Sequence, residues 1–251
     1  MNHSFDIYVI NLDKDVARLE EITKALKPNH FTRIQGVYGK DLIQGVPETE
    51  KLKDDVFITS KYFVPKNVLG SCLSHRKAVE TFLKSSKKDY ALILEDDATP
   101  TSKDYMSQVS KAVENAPKDW GIIKLDSWPT YSTSSYTTLP SLLATAYIVN
   151  KESAAKILQY KVVYYADIYM WFYNVNIYNC PTNIFQQIWD EKNGSNNKTN
   201  DSYNPLNYFS ESFNFKMLRL PLVNGDVELT MGDLTLITIV LITASILSRK
   251  K

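Results

Sequence analysis

The chain has 251 residues, of which 44% are hydrophobic and 23% charged, with 29 Lys and Arg against 28 Asp and Glu for a formal charge of +1. That length can bury a full core as one large α/β domain, alone or with appendages, and the composition excludes both a disordered chain and a polytopic membrane protein. Balanced charge sets up no global basic field, so nucleic acid is not an expected partner.

Residues 7–10 read as a buried first strand, too short for a signal-peptide core. Residues 15–26 read as a helix, with Val16, Leu19, Ile22, Thr23 and Leu26 at helical spacing and Pro28 to stop it. A second strand over 31–37 completes a β-α-β opening, which implies a parallel pair. Residues 38–68 carry charges, Gly45, Pro47 and little periodicity, and are expected to form an irregular connection over the sheet. From Gly70-Ser71 a helix follows whose apolar face is Leu69, Cys72, Leu73, Val79, Phe82 and Leu83. The apolar run 90–94 reads as a strand, 103–115 as a helix, and 120–125 as a strand with Asp126 at its end. Residues 143–149 suggest another strand and 152–158 a helix packing Ala154, Ala155, Ile157 and Leu158 inward. Residues 190–207, rich in Asn, Ser and Asp, read as a surface loop.

Two features bear on compartment. Cys72 and Cys180 make no CxxC and suggest neither a zinc site nor a disulfide framework, so a reducing compartment is the easier reading. Residues 234–247 are apolar apart from Thr and Ser and end in Ser248-Arg249-Lys250-Lys251. As a helix they would span about 21 Å against roughly 30 Å of hydrocarbon, a gap that local thinning and a snorkelling basic end could narrow. The two readings are a C-terminal membrane anchor over 234–248, and a strand or buried helix of the core. The expected organisation is a catalytic domain over 1–228, cytoplasmic for want of a signal peptide, with 234–248 as its anchor.

The most informative segment is Glu95-Asp96-Asp97, at the end of the run 90–94 and followed by Ala98-Thr99-Pro100. A continuous apolar run reads as a strand buried on both faces, and three mutually repelling acids belong where that strand leaves the core. Ligands of open α/β sheets collect at that edge. If extended geometry persists, Glu95 and Asp97 point to one side and can grip a hard divalent cation while Asp96 points away. The alternative is an exposed turn, with Asp97 bonded to the backbone ahead of Thr99-Pro100.

Taken in order, several pieces resemble glycosyltransferase family 25, which includes bacterial lipooligosaccharide galactosyltransferases and procollagen galactosyltransferases. They are Ile7-Tyr8-Val9-Ile10-Asn11-Leu12-Asp13 with Arg18, Gly36-Val37-Tyr38-Gly39-Lys40-Asp41-Leu42, and Gly70-Ser71-Cys72-Leu73-Ser74-His75. Leu94-Glu95-Asp96-Asp97 and Ala144-Thr145-Ala146-Tyr147-Ile148-Val149 complete the set, and the resemblance runs from about residue 5 to about 188. It implies an A-type, Rossmann-like α/β glycosyltransferase fold with a mostly parallel central sheet, a UDP-sugar donor, a divalent metal, usually Mn2+, and inversion at the anomeric carbon. It also implies a glycan, lipid-linked or protein acceptor.

The same resemblance implies roles for single residues. The acidic triplet maps onto Glu95, Asp96 and Asp97, with Glu95 and Asp97 as metal ligands and Asp96 beside the donor. Asn11 and Arg18 match the first-strand motif, and Arg18 would stack on uracil or bind phosphate unless it is a solvated charge on the first helix. His75 matches a Ser-His pair and is expected to support the donor site, either as an internally bonded core histidine or as an imidazole facing the diphosphate. Asp167 matches a downstream aspartate before an aromatic segment and is the candidate base, its other reading being a helix N-cap. Asp126 is a candidate contact to the donor sugar, and Gln186 and Gln187 could close the pocket. Ala144-Thr145-Ala146 stands where the family often has Gly. A catalytically inactive carbohydrate- or nucleotide-binding module is the alternative function, although such a module has no need of three clustered carboxylates. A metal-dependent nucleotidyltransferase would want a Gly-rich phosphate loop, which the chain lacks.

Overall fold

A computed structural model of the protein describes residues 5–44, 51–57, 60, 64, 66–128, 134–139, 141, 143–162, 166, 174–188, 216–222, 225–230 and 238. Asp167, the Asn-rich stretch 190–207 and, apart from Thr238, the apolar segment 234–248 lie outside the described residues. Among the described residues no helix is long and apolar enough to cross a membrane. The chain divides into two compact units, Met1–Asn197 and Lys198–Lys251, so that residues 216–228 fall in the second.

In chain order the first unit contains β1 (Phe5–Asn11), α1 (Val16–Leu26), β2 (Thr32–Gln35), α2 (Gly39–Gln44), a 3-10 turn (Lys51–Asp55) and α3 (Lys66–Ser85). Then come β3 (Tyr90–Glu95), β4 (Ala98–Pro100), α4 (Tyr105–Asn115), β5 (Ile122–Lys124), β6 (Ala146–Asn150), α5 (Lys151–Ile157), β7 (Ile177–Asn179) and β8 (Phe185–Gln187). Six strands form one sheet in the order β2-β1-β3-β6-β5-β7. β1 pairs parallel with β2 and β3, and β5 with β7, while β6 runs antiparallel between β3 and β5. Five strands therefore point one way, which is the mostly parallel α/β sheet expected.

Burial on two faces accounts for the unbroken apolar runs. Along β3, Leu92 and Leu94 join one cluster with Ile7 and Val9 of β1, Ile22 and Leu26 of α1, and Val109 of α4. Ala91 and Ile93 join the opposite cluster with Tyr8 and Ile10, Val79 and Phe82 of α3, and Ile157 of α5. Leu92, Ile93 and Leu94 are fully buried, each contributing about 1.5–3 kcal/mol. Cys72 and Cys180 are buried in different clusters.

Four expectations need correcting. The connection over 38–68 is not irregular throughout: it contains α2 and the 3-10 turn, and Val56 bridges to Val162. Val56, Val64, Val68, Leu69 and Leu73 bury one another there, so packing rather than periodicity orders it. α3 begins at Lys66, not Gly70, because Val68 and Leu69 are already buried in its first turns. Val16, grouped with the helically spaced apolar residues of the first helix, is 58% exposed, and Ala155, expected to pack inward, is exposed as well.

The short strands β4 and β8 pair antiparallel with Ala98 opposite Gln187. In the second unit β9 (Lys216–Leu222) and β10 (Gly225–Thr230) form an antiparallel hairpin whose register shifts between Leu229 and Thr230.

Candidate active site

Parallel strands bring their carboxyl ends to one edge, and here that edge gathers polar side chains. β1 ends in Asn11, β3 in Glu95, and β5 runs on to Asp126. The antiparallel β6 starts at the same edge, and the Glu95 N–H donates to the Thr145 carbonyl at 2.8 Å.

The strand does not stay extended past Glu95: residues 96–97 form a turn. Asp96 therefore does not point away from its neighbour, as alternation required, and both aspartates converge on Arg18. Arg18 Nη1 donates to Asp96 Oδ1 at 2.9 Å and Nη2 to Asp97 Oδ2 at 3.3 Å. Asn11 Nδ2 donates to Asp96 Oδ2 at 2.7 Å and to the Asp15 carbonyl, while Asn11 Oδ1 accepts from Arg33 Nε. Gln187 Nε2 donates to Asp97 Oδ2 at 3.0 Å. The backbone of Asp97 is clamped as well, its carbonyl accepting from the Ile188 N–H at 2.9 Å. β8 thus holds the turn in place, and of Gln186 and Gln187 only the latter is in the cleft lining.

Asn11, Arg18, Glu95, Asp96, Asp97 and Gln187 line one cleft together with Tyr38, Asn67 and Ser71. The last three were not singled out from the sequence, but Gly39 and Gly70 signalled them. A Cβ on Gly70 would stand 2.5 Å from the Val37 carbonyl oxygen, and one on Gly39 would collide with Asn67. These glycines let the loop carrying Tyr38 lie against α3. Ser74 locks the approach, its Oγ accepting from the Val37 N–H and donating to the Gly70 carbonyl.

Two expected site residues sit outside the lining. His75 is buried behind Glu95, with Nε2 3.1 Å from Glu95 Oε1 and Nδ1 3.1 Å from the Tyr147 hydroxyl. It is therefore an internally bonded histidine that reaches the cleft only through a carboxylate. Asp126 is buried too, its Oδ1 accepting from Asn183 Nδ2 at 3.3 Å.

The electrostatics set these carboxyls apart from surface ones. Burial, then the charge of Glu95, raises the Asp97 carboxyl to about 7 against the pull of Arg18 and Gln187. Burial likewise raises Asp126 to about 7, the Gln187 backbone pulling it down and Glu95 pushing it up. Asp96 is raised by burial, with Arg18 and Asn11 opposing. For Arg18, burial favours proton loss, but Asp97 and Asp96 outweigh it and hold the guanidinium above its ordinary value. Asp97 Oδ1 and Asp126 Oδ2 are buried with no hydrogen-bond partner among the described residues.

Among the described residues no group of three or more His, Cys, Asp or Glu side chains is arranged to hold a metal ion. Two carboxylates supplemented by substrate phosphates are nonetheless a common way of binding a hard divalent cation. Glu95 and Asp97 fit that pattern: both line the cleft, both offer only oxygen, and Asp97 keeps one buried oxygen without a partner. Desolvated carboxylates of raised pKa gain most from a nearby cation.

The model of glycosyltransferase family 25, described as an LPS biosynthesis protein family, matches residues 5–140. That stretch is more than half of the chain and spans β1 to β5 with the acidic turn. No curated protein matches. Among solved structures, a mutant of Drosophila β-1,4-galactosyltransferase 7 in complex with manganese, UDP-Gal and xylobiose is similar, with 9% identity and a TM-score of 0.39, covering 91% of this chain and 93% of that one. A second, A197 from STIV, has 8% identity and a TM-score of 0.35, covering 78% of this chain and 99% of that one.

Proposed function

This chain belongs to glycosyltransferase family 25 and is a glycosyltransferase, and from that premise we propose that it moves a hexose, galactose before others, from a UDP-sugar to a glycan or glycoconjugate acceptor with inversion at the anomeric carbon. Glu95 and Asp97 would hold a divalent cation, manganese foremost. When bound it supplies Lewis-acid neutralisation of the departing UDP.

The chain's own residues carry the rest. Arg18, held by Asp96 and Asp97 at the cleft wall, brings its fixed positive charge to the side of the diphosphate, and Tyr38 offers an aromatic face in the same cleft. Asp126, buried behind the cleft lining at the end of β5, would be a contact to the donor sugar as the family resemblance implies. Asp167, assigned through the family resemblance, takes the proton of the acceptor hydroxyl as that oxygen attacks the anomeric carbon and UDP departs from the opposite side.

One observation carries this reading: Asp97 Oδ1 is buried with no hydrogen-bond partner among the described residues, in a carboxyl that shares Arg18 with Asp96 and lines the same cleft as Glu95. A buried polar atom left unmatched costs free energy, and a cation bound there would offset that cost. The test is a screen of UDP-hexoses for UDP release with an acceptor mixture, in Mn2+, in EDTA, and in EDTA followed by Mn2+. Turnover of UDP-galactose that EDTA abolishes and Mn2+ restores is expected. Turnover indifferent to EDTA would reject the cation, and no turnover of any UDP-hexose would reject the donor.

A further inference from the structure

Three elements meet behind the cleft. Tyr147 lies on β6 opposite Ile93 of β3, so its side chain and those of Ile93 and Glu95 share one face of the sheet. α3 covers that face, and His75 comes down from it between the phenol and the carboxylate. Two contacts link them, and the pair at their centre is shielded: Tyr147 is 1% and His75 5% exposed.

We propose that Tyr147 is a positioning residue for the donor site: its hydroxyl donates to His75 Nδ1, so that the ring presents Nε2–H to Glu95 and fixes that carboxylate at the cleft wall. The proposal rests on Glu95 serving the cation site described above.

The direction of the chain follows from what each group can give. In the proposed arrangement the proton between His75 and Glu95 Oε1 sits on Nε2, the carboxyl oxygen accepting at 3.1 Å. That tautomer leaves a lone pair on Nδ1, and the group beside it is the Tyr147 hydroxyl at 3.1 Å. Burial first, and the charge of Glu95 second, raise the phenol well above its ordinary value, so it keeps the proton it donates. Glu95 has one oxygen held from behind while its side chain remains 27% exposed toward the cleft. Outer partners of this kind orient metal ligands, and their loss characteristically weakens metal binding about 10- to 100-fold.

The test is Tyr147→Phe in the full chain, which keeps the ring packed near His75 and removes only the hydroxyl. Histidine-selective 15N NMR reads the tautomer, with His75→Asn assigning the signal. Wild type is expected to show Nε2–H with an accepting Nδ1, and Y147F a mixture of ring states. Mn2+ binding in the presence of UDP, followed by electron paramagnetic resonance, is expected to weaken about 10- to 100-fold in Y147F. Tyr8→Phe, an equally buried hydroxyl deletion on β1 beside Phe82 and Ser85, should leave it unchanged. A wild-type His75 carrying its proton on Nδ1, or a Y147F chain that binds Mn2+ and UDP as tightly as wild type, overturns the proposal. If wild type takes up no Mn2+ with UDP, the cation reading falls instead. The NMR comparison then decides the positioning chain, an unchanged His75 signature in Y147F overturning it.

Discussion

Asp97→Asn changes charge while nearly preserving shape, and its consequences can be worked out from the site. The Asp97 side chain is 10% exposed, and its Oδ2 shares Arg18 with Asp96. Despite that partner, burial and Glu95 raise the carboxyl from 3.8 to about 7. Such a rise makes the ionised native form costly by roughly 4 kcal/mol relative to the unfolded chain. The Asn amide keeps part of the desolvation cost and gives up the Arg18 contact, so a net gain of about 2 kcal/mol is expected. The sign follows from linkage. Between about pH 4 and 7 the native carboxyl holds a proton that the unfolded one has lost, so wild-type stability falls as pH rises through that window and levels off above it. The variant lacks this slope. At pH 8, freed of metal by EDTA, it should melt roughly 4–8 °C above wild type, and the two should converge near pH 4. UDP release should fall about 100-fold or more. Unfolding followed at several pH values, beside a turnover assay, checks both. A variant less stable than wild type at pH 8 would mean that the Arg18 pair outweighs burial, refuting the reasoning.

Arg18→Ala removes the cation shared by Asp96 and Asp97. Calorimetry should show UDP affinity reduced about 10-fold or more, with a lower melting temperature at pH 8, because two buried carboxylates lose their partner. Unchanged UDP affinity would leave Arg18 as a structural counter-ion only. Asp167→Ala should bind UDP normally yet fail to transfer sugar to acceptor, and retained transfer would remove Asp167 as the base.

Much of the frame was legible because it rests on local chemistry. The run 90–94 could only be a strand buried on both faces, and the alternating membership of Leu92 and Ile93 in opposite clusters bears that out. β1, α1, β2, α4 and α5 followed from periodicity and stop signals. β4 and β8 did not, since three residues carry no period and their pairing joins positions almost ninety residues apart. Packing between distant segments likewise ordered the connection over 38–68.

The candidate site divides the same way. That carboxylates would gather at the end of the central strand was determined by the sequence alone, because charges cannot follow an apolar strand into the core. Where each points was decided by the tertiary structure. A turn at 96–97 brings Asp96 and Asp97 onto Arg18, the β8 pairing delivers Gln187, and the Tyr147–His75 pair backs Glu95. Side-chain direction after a strand ends depends on partners far along the chain, and those partners become neighbours only when the sheet forms.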